Sequence, residues 1–178
     1  MEVVLAAALL VLLSGLVIGT FYSTLASTRI RENAGRMSSL LRALRAEAAI
    51  EGRRYRLGFD PETRQPRVTF EPEPLAEPNT FVPRRSWWSD QAELTGGVRV
   101  LACELTGPAA PPAPAAEGAP AALAAITFTP DGGSDSARLV LGTEDEDEPW
   151  IAEITLNGAD GTIEVRQLDL EEEAVTLE

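Results

Sequence analysis

The sequence of 178 residues contains no histidine, no lysine and a single cysteine. A catalytic nucleophile needs a base within reach, and without histidine or a paired-carboxylate motif no catalytic residues can be assigned. Cys103 has no second cysteine with which to form an internal disulfide, and a lone cysteine in a strand is most often a small core residue. We therefore expect a protein that is not an enzyme and that has no cofactor, no metal site and no small-molecule substrate.

Charge is absent from a long stretch near the start of the chain. No charged residue lies between Val3 and Thr28, and about 20 apolar residues suffice to cross the hydrocarbon core of a bilayer. Residues 1–28 are therefore predicted to be the transmembrane half of an N-terminal helix. A cleaved signal peptide is the alternative, because residues 24–26 form a weak cleavage site, but the basic residues that precede the apolar core of a signal peptide are missing.

The apolar pattern continues beyond residue 28 with the spacing of a helix. Apolar residues recur every three or four positions from Ile30 to Ala48, with arginines between them. No proline interrupts the pattern, and Gly52 suits the end of a helix. Residues 29–54 are thus predicted to be the amphipathic half of the same helix, with the arginines on its solvated face. Binding of nucleic acid or anionic lipid is the alternative role for these arginines.

From Tyr55 onward the pattern alternates, which is typical of strands. One predicted hairpin pairs residues 55–59 with 67–70 across a proline-containing turn, and a second closes at the turn 157–161. Other strands, about six or seven in all, are predicted at 98–103, 126–128 and 139–141 and on both sides of the second turn. Residues 71–97 are predicted to be irregular.

Two segments are predicted to lie outside the folded core. Residues 106–125 form a low-complexity insertion of proline and alanine, and residues 171–178 form an acidic tail. The rest of 55–170 is predicted to be an antiparallel β domain. Since a sheet must bury one face, the economical fold is α+β, with the sheet or sheets packed on the amphipathic half of the helix.

The two halves of the chain carry opposite charge. Residues 29–56 hold eight arginines and three acidic residues, whereas residues 57–178 hold seven arginines and 24 acidic residues. Phosphate binding needs clustered positive charge, so an acidic β domain argues against nucleic acid as its partner. The arginines that follow the apolar stretch would, by the positive-inside rule alone, place the β domain in the cytoplasm.

Several segments resemble type IV pilin-like proteins. Residues 1–4 (MEVV) are similar to the end of the prepilin junction, with Glu2 as its glutamate. Residues 40–63, together with 126–133 and 157–165, resemble the H-type minor pseudopilins of type II secretion and the related FimT pilins. The resemblance covers most of the chain, except the segment 71–97 and the insertion 106–125.

The resemblance implies a single-pass protein of the inner membrane with its soluble domain in the periplasm, in a fibre with other pseudopilins or pilins. It favours a minor pseudopilin that supports protein export across the outer membrane. A FimT-like minor pilin for adhesion or DNA uptake and a membrane-tethered periplasmic binding domain that does not assemble are the alternatives. We expect the prepilin leader to be encoded upstream of Met1, and its basic residues would reconcile the orientation with a periplasmic domain.

Three kinds of candidate site emerge. Glu2 is predicted to pair with the free amine of a neighbouring subunit during assembly, rather than to remain exposed at the membrane surface. Trp87 and Trp88 are either a partner contact or a cap of the sheet against the helix. The acidic runs 131–135 and 144–148 could offer oxygen ligands to calcium, but neither fits an EF-hand loop, and solvated turns are favoured.

Overall fold

In the computed structural model, one helix of 50 residues, α1 (Glu2–Glu51), begins the fold. The backbone is described for residues 2–107, 123–143 and 150–169, and the side chains for residues 25–107, 123–143 and 150–168. The helix ends as predicted at Gly52, whose φ of 65° allows the Arg53 N–H to donate a hydrogen bond of 3.2 Å to the Ala48 carbonyl. This bond is the Schellman arrangement that commonly closes a helix.

The predicted transmembrane half of α1 falls largely on residues 1–24, whose side chains, that of Glu2 included, lie outside the described residues. Among the residues that are described, no helix is both long enough and apolar enough to cross a membrane.

The second half of α1 is amphipathic, as its spacing predicts. The residues of its apolar stripe are at most 1% exposed: Ile30, Ala34, Met37, Leu41, Leu44 and Ala48. Burial of a leucine-sized side chain contributes about 1.5–3 kcal/mol, so this stripe anchors the helix to the β domain. The arginines lie on the outer side, where Arg36 donates to Glu32 at 2.8 Å. The prediction that they form a solvated face is confirmed.

Eight strands and one short helix follow in the described part of the chain. They are β1 (Tyr55–Phe59), β2 (Pro66–Phe70), β3 (Val82–Pro83), α2 (Ser89–Ala92), β4 (Val98–Leu105), β5 (Ile126–Phe128), β6 (Ala137–Thr143), β7 (Trp150–Leu156) and β8 (Ile163–Asp169). They form two antiparallel sheets in the orders β3-β2-β1-β5 and β4-β6-β7-β8. Both predicted hairpins are present, β1 with β2 and β7 with β8.

The core lies where the two sheets meet α1. Strand β6 shows the expected alternation, since Ala137, Leu139 and Leu141 are buried while Arg138 between them is exposed. α1 contacts strands of both sheets, which confirms the α+β prediction of antiparallel sheets packed on the amphipathic half of the helix. Cys103 is 6% exposed and belongs to this core, as predicted.

The segment 71–97 is more ordered than its sequence predicts. It contains the edge strand β3 and the short helix α2, both too short to show a periodic pattern. Pro83 is tolerated in β3 because this strand lies at the edge of its sheet. The end of the segment is held to α1 by the buried Asn33, which donates to the Thr95 carbonyl at 3.1 Å and accepts from the Thr95 N–H at 2.9 Å.

Three predicted features cannot be compared with the fold. Residues 108–122 of the proline/alanine insertion, the acidic run 144–148 and the tail 171–178 lie outside the described residues.

Candidate interaction surface at the end of the helix

Trp87 and Trp88 are adjacent in sequence but lie in different environments. Trp88 is 1% exposed and packs in the core, whereas Trp87 is 67% exposed. Of the two roles left open for the pair, the burial of Trp88 fits packing in the core. The pair follows no helical or strand period, so the sequence offered no signal to separate the two. Trp87 remains a predicted partner contact.

Two carboxylates on the last turns of α1 hold the segment that carries Trp87. The Trp87 indole N–H donates to Glu47 Oε1 at 2.8 Å, and the Arg84 guanidinium donates to Glu51 Oε1. Glu47 and Glu51 are four residues apart and so lie on one side of the helix. The buried Tyr55 hydroxyl donates to the other oxygen of Glu51 at 2.7 Å. These bonds fix residues 84–87 against the end of α1.

The environment of Tyr55 keeps this hydroxyl a donor. Burial and the hydrogen bond to Glu51 raise the pKa of Tyr55 well above its ordinary value of 10. The phenol is therefore neutral across the physiological range of pH, and Glu51 accepts from two donors at once.

Near this contact, four arginine side chains lie over the rings of two phenylalanines. The guanidinium carbons of Arg84 and Arg53 lie 4.8 and 5.8 Å from the centre of the Phe70 ring. Those of Arg56 and Arg54 lie 3.9 and 5.9 Å from the centre of the Phe81 ring. Cation–π contacts of this kind contribute about 0.5–1 kcal/mol at exposed positions. Phe70 pairs with Tyr55 and Val82, whereas Arg56 pairs with Thr69, so the Arg56–Phe81 stack lies on the opposite face of the sheet from Phe70.

The residues on the Phe70 side of the sheet lie at the end of α1, and we call them the helix-end surface. It comprises Ile50, Arg53, Phe70, Arg84 and Trp87. Ile50 is 80% exposed and lies on α1 one turn beyond Glu47, to which Trp87 is bonded. The surface thus joins exposed apolar side chains to stacked arginines at the end of the long helix.

A buried ion pair borders this surface. Arg54 donates to both carboxylate oxygens of Glu71, at 2.6 and 2.7 Å, and the Asn79 N–H donates to Glu71 Oε1 at 2.6 Å. Glu71 is 0% exposed. The hydrogen bonds from Arg54 hold the pKa of Glu71 below its ordinary value of 4.5. This cluster fastens both ends of the exposed loop 73–80. Its partners are distant in sequence, and no local pattern predicts it.

The acidic turn 131–135 uses its carboxylates internally. Asp131 accepts hydrogen bonds from the Thr129 hydroxyl and from the Gly133 N–H, and Asp135 accepts from the Thr127 N–H at 2.8 Å. Across the described residues, no three histidine, cysteine, aspartate or glutamate side chains converge on a possible metal position. These hydrogen bonds within the turn are typical of a solvated turn, which was the favoured prediction for this acidic run.

A groove of about 900 Å³ opens between β2 and α2, next to the buried Trp88. Its lining mixes both signs of charge, including Asp60, Arg67, Arg85 and Asp90. The Trp88 indole N–H has no acceptor within the described structure. Mixed charge on an open groove does not favour one class of ligand.

The fold defines a class of protein. A long N-terminal helix whose second half supports two antiparallel sheets is the architecture of a pilin-like subunit. The chain belongs to the family of type II transport protein GspH, whose sequence profile matches residues 33–160. The resemblance to H-type pseudopilins in the sequence is thereby confirmed.

Solved structures show the same fold. The structure of the minor pseudopilin EpsH from the type 2 secretion system of Vibrio cholerae matches with a TM-score of 0.51 and 15% sequence identity, over 78% of this chain and 96% of that one. A second crystal structure of that pseudopilin matches with a TM-score of 0.50 and 18% identity, over 78% and 94% of the two chains. A comparison with curated proteins gives no significant match.

Proposed function

We propose that this chain is an H-type minor pseudopilin, a non-catalytic subunit of the fibre that supports protein export by type II secretion. The observation that carries the proposal is the family match over residues 33–160, which spans the amphipathic half of α1 and most of the β domain. The fold shared with a minor pseudopilin over 96% of that chain supports it. The family supplies a structural subunit, so its neighbours in the fibre are other pseudopilins.

The N-terminal half of α1 anchors the protein in the inner membrane in this proposal, and the β domain lies in the periplasm. An uninterrupted helix suits this arrangement, because the same rod that crosses the bilayer continues into the spine of the β domain. During assembly the helices leave lipid and pack together. A carboxylate at Glu2 then pairs with the free amine of the next subunit, since an unpaired charge in that setting is costly.

Co-purification tests this proposal. The tagged full-length chain is expressed in its own organism and isolated in a mild detergent, and the proteins that accompany it are quantified by mass spectrometry. We expect enrichment of pseudopilins, reduced at least about tenfold by Glu2→Ala and less by Glu2→Asp, because the aspartate retains the charge. Enrichment of type IV pilins instead would assign the chain to a pilus. Enrichment of neither would support a tethered domain that does not assemble.

A further inference from the structure

Three of the four edge strands in the described part of the chain are short or covered. On β5, the Thr127 N–H donates to Asp135 Oδ2 at 2.8 Å, and the Thr127 carbonyl accepts from the Asp135 N–H at 3.0 Å. On β4, the Cys103 carbonyl accepts from the Ala124 N–H at 3.2 Å. The edge strand β3 has only two residues. These three edges therefore offer little free backbone to another chain.

The fourth edge strand, β8, has seven residues and pairs regularly with β7. Beside the turn, the Asn157 N–H donates to the Thr162 carbonyl at 2.9 Å. Since bonded and non-bonded pairs alternate in an antiparallel ladder, the N–H and carbonyl groups of Ile163, Val165 and Gln167 point away from β7. Among residues 25–107, 123–143 and 150–168, none of these backbone groups has a hydrogen-bond partner. Strand β8 thus presents an open edge.

This edge is fixed against α1 and leaves an apolar side chain half exposed. The Gln167 side chain donates to the Ser27 carbonyl of α1 at 3.2 Å. Val165 shares one face of the sheet with its pair Ile154, but Ile154 is buried whereas Val165 is 47% exposed. A further strand beside β8 would cover Val165. Because the edge is already held in place, it loses little conformational freedom when such a strand binds.

Charges alternate across the outer face of the sheet that contains β8. Arg138 on β6 lies 3.9 Å from Glu104 on β4 and donates to Glu153 on β7 at 2.7 Å, and Glu153 pairs with Arg166 on β8. The hydrogen bond from Arg138, and to a lesser extent the charge of Arg166, lower the pKa of Glu153. The row ends with Arg166 at the open edge, and Glu164 lies on the same face. A complementary strand therefore places a carboxylate opposite Arg166 and a basic side chain opposite Glu164.

We propose that β8 binds an extended segment of a neighbouring, non-identical subunit, which adds a fifth strand to the sheet of β4, β6, β7 and β8. In antiparallel orientation the segment carries, in chain order, an acidic residue opposite Arg166, an apolar residue opposite Val165 and a basic residue opposite Glu164. Hydrogen bonds to the free backbone groups supply affinity, and the side chains set the register. The inference rests on the proposed function, which provides the neighbouring subunit.

Two other occupants fit less well. A second copy offers the same pattern, because Glu164, Val165 and Arg166 are acidic, apolar and basic in that order. Antiparallel pairing of two β8 strands needs a two-fold rotation that reverses every direction in the plane of the sheet. The two α1 helices would then run in opposite directions, whereas the proposed function anchors both in one membrane. The chain's own residues 170–178 would have to turn back within LEEEA, which lacks the glycine, asparagine and aspartate of tight hairpin turns.

Binding of a peptide with the required pattern tests the site. The probe is fluorescein-labelled TIEVRQLD, which has the sequence of residues 162–169, and its control is TIRVEQLD. The control exchanges the two charged residues and so keeps composition and net charge. Fluorescence anisotropy is measured with the full-length chain in detergent. We expect the control peptide to bind at least about fivefold more weakly, because it places like charges opposite each other. Equal binding of the two peptides would overturn the proposal.

A charge exchange on β8 provides the matched variant. In the double variant Glu164→Arg, Arg166→Glu we expect the preference to reverse by about the same factor, since the control peptide is now the complementary one. A change in stability alone would not reverse it, and an unchanged preference would overturn the proposal. Val165→Pro removes an N–H that points away from β7 and is expected to weaken binding of both peptides at least about tenfold.

Photocrosslinking identifies the occupant in the cell. p-Benzoylphenylalanine replaces Leu168 on β8 in the full-length chain, and the control places it at Leu75, which is 99% exposed on the loop 73–80. We expect a crosslink from position 168 to an extended segment of another pseudopilin, and none to that segment from position 75. A crosslink to a second copy or to residues 170–178, or none at all, overturns the inference. When the chain still co-purifies with pseudopilins, such a result leaves the proposed function intact.

Discussion

Arg54 and Glu71 form a bidentate ion pair in which the carboxylate is fully buried and the arginine side chain is 33% exposed. The pair joins the residue that precedes β1 to the residue that follows β2, and the Asn79 N–H completes the cluster. A buried pair of this kind is weak evidence for stability in itself, but breaking it leaves a buried group without its partner. The cluster of Arg54, Glu71 and Asn79 therefore helps to hold the loop 73–80 in place.

Replacement of Arg54 measures that dependence. We expect Arg54→Met to lower the free energy of unfolding by about 2 kcal/mol, because Glu71 loses two charged hydrogen bonds. The figure is below that for a fully buried pair, since solvent reaches the arginine. The control is Glu32→Gln, which breaks the exposed pair with Arg36 and is expected to cost less than about 0.5 kcal/mol. Urea unfolding of the full-length chain followed by circular dichroism gives both values.

The same pair makes stability depend on pH. Folding holds the pKa of Glu71 below its ordinary value of 4.5, so the unfolded state binds the proton more tightly. The stabilisation is fully present above about pH 5.5 and is lost as the pH falls below 4.5 through the pKa of the folded state. We expect the unfolding free energy of Glu71→Gln to fall less steeply between pH 6 and pH 3 than that of the unmodified chain. Parallel curves would contradict this role.

Substitution of the two tryptophans by alanine is expected to lower the unfolding free energy by different amounts. Trp88→Ala removes a core side chain that is 1% exposed and should lower the unfolding free energy by about 3–5 kcal/mol. Trp87→Ala removes an exposed side chain with one hydrogen bond to Glu47 and should cost less than about 1 kcal/mol. Thermal unfolding compares the two, and similar losses would contradict the assignment of Trp87 to a surface.

Cys103 is expected to resist modification in the folded protein. Burial raises the pKa of its thiol to about 12, and the thiolate is the reactive species. At about pH 8 we expect the rate of reaction with Ellman's reagent to rise at least about 100-fold when urea unfolds the chain. Rapid reaction under native conditions would show that the strand β4 opens readily at this position.

Substitution of alanine for two of the glycines is expected to change stability in opposite directions. A Cβ at Gly35 in α1 would meet no atom within 4 Å, so Gly35→Ala should raise the unfolding free energy by about 0.5–1 kcal/mol through helix propensity. A Cβ at Gly158 would overlap the Ser134 carbonyl oxygen. Because the backbone must move to relieve this overlap, Gly158→Ala should lower the unfolding free energy by about 1–3 kcal/mol. Melting temperatures of the two variants test the signs.

The sequence predicted the elements with a regular pattern. The apolar stripe from Ile30 to Ala48 indicated the helix face, Gly52 marked its end, and turn residues indicated the hairpins. The hydrogen bonds of the buried Asn33 with Thr95 were not predicted, because the two residues are 62 positions apart in sequence.

The contacts at the candidate interaction surface could not be predicted from the sequence pattern. Trp88 and Trp87 differ through the packing of a non-periodic segment, and Arg54 meets Glu71 only because β1 and β2 pair. Contacts between residues far apart in sequence follow from tertiary structure, which local propensity does not encode.

Export of secreted proteins tests the central proposal most directly. The gene is deleted in its own organism, and the substrates of type II secretion are quantified in the culture medium and in the periplasm. We predict that the deletion leaves these substrates in the periplasm and that the full-length chain, supplied from a plasmid, restores their release. Normal release from the deletion strain would contradict a role as a subunit of the secretion fibre.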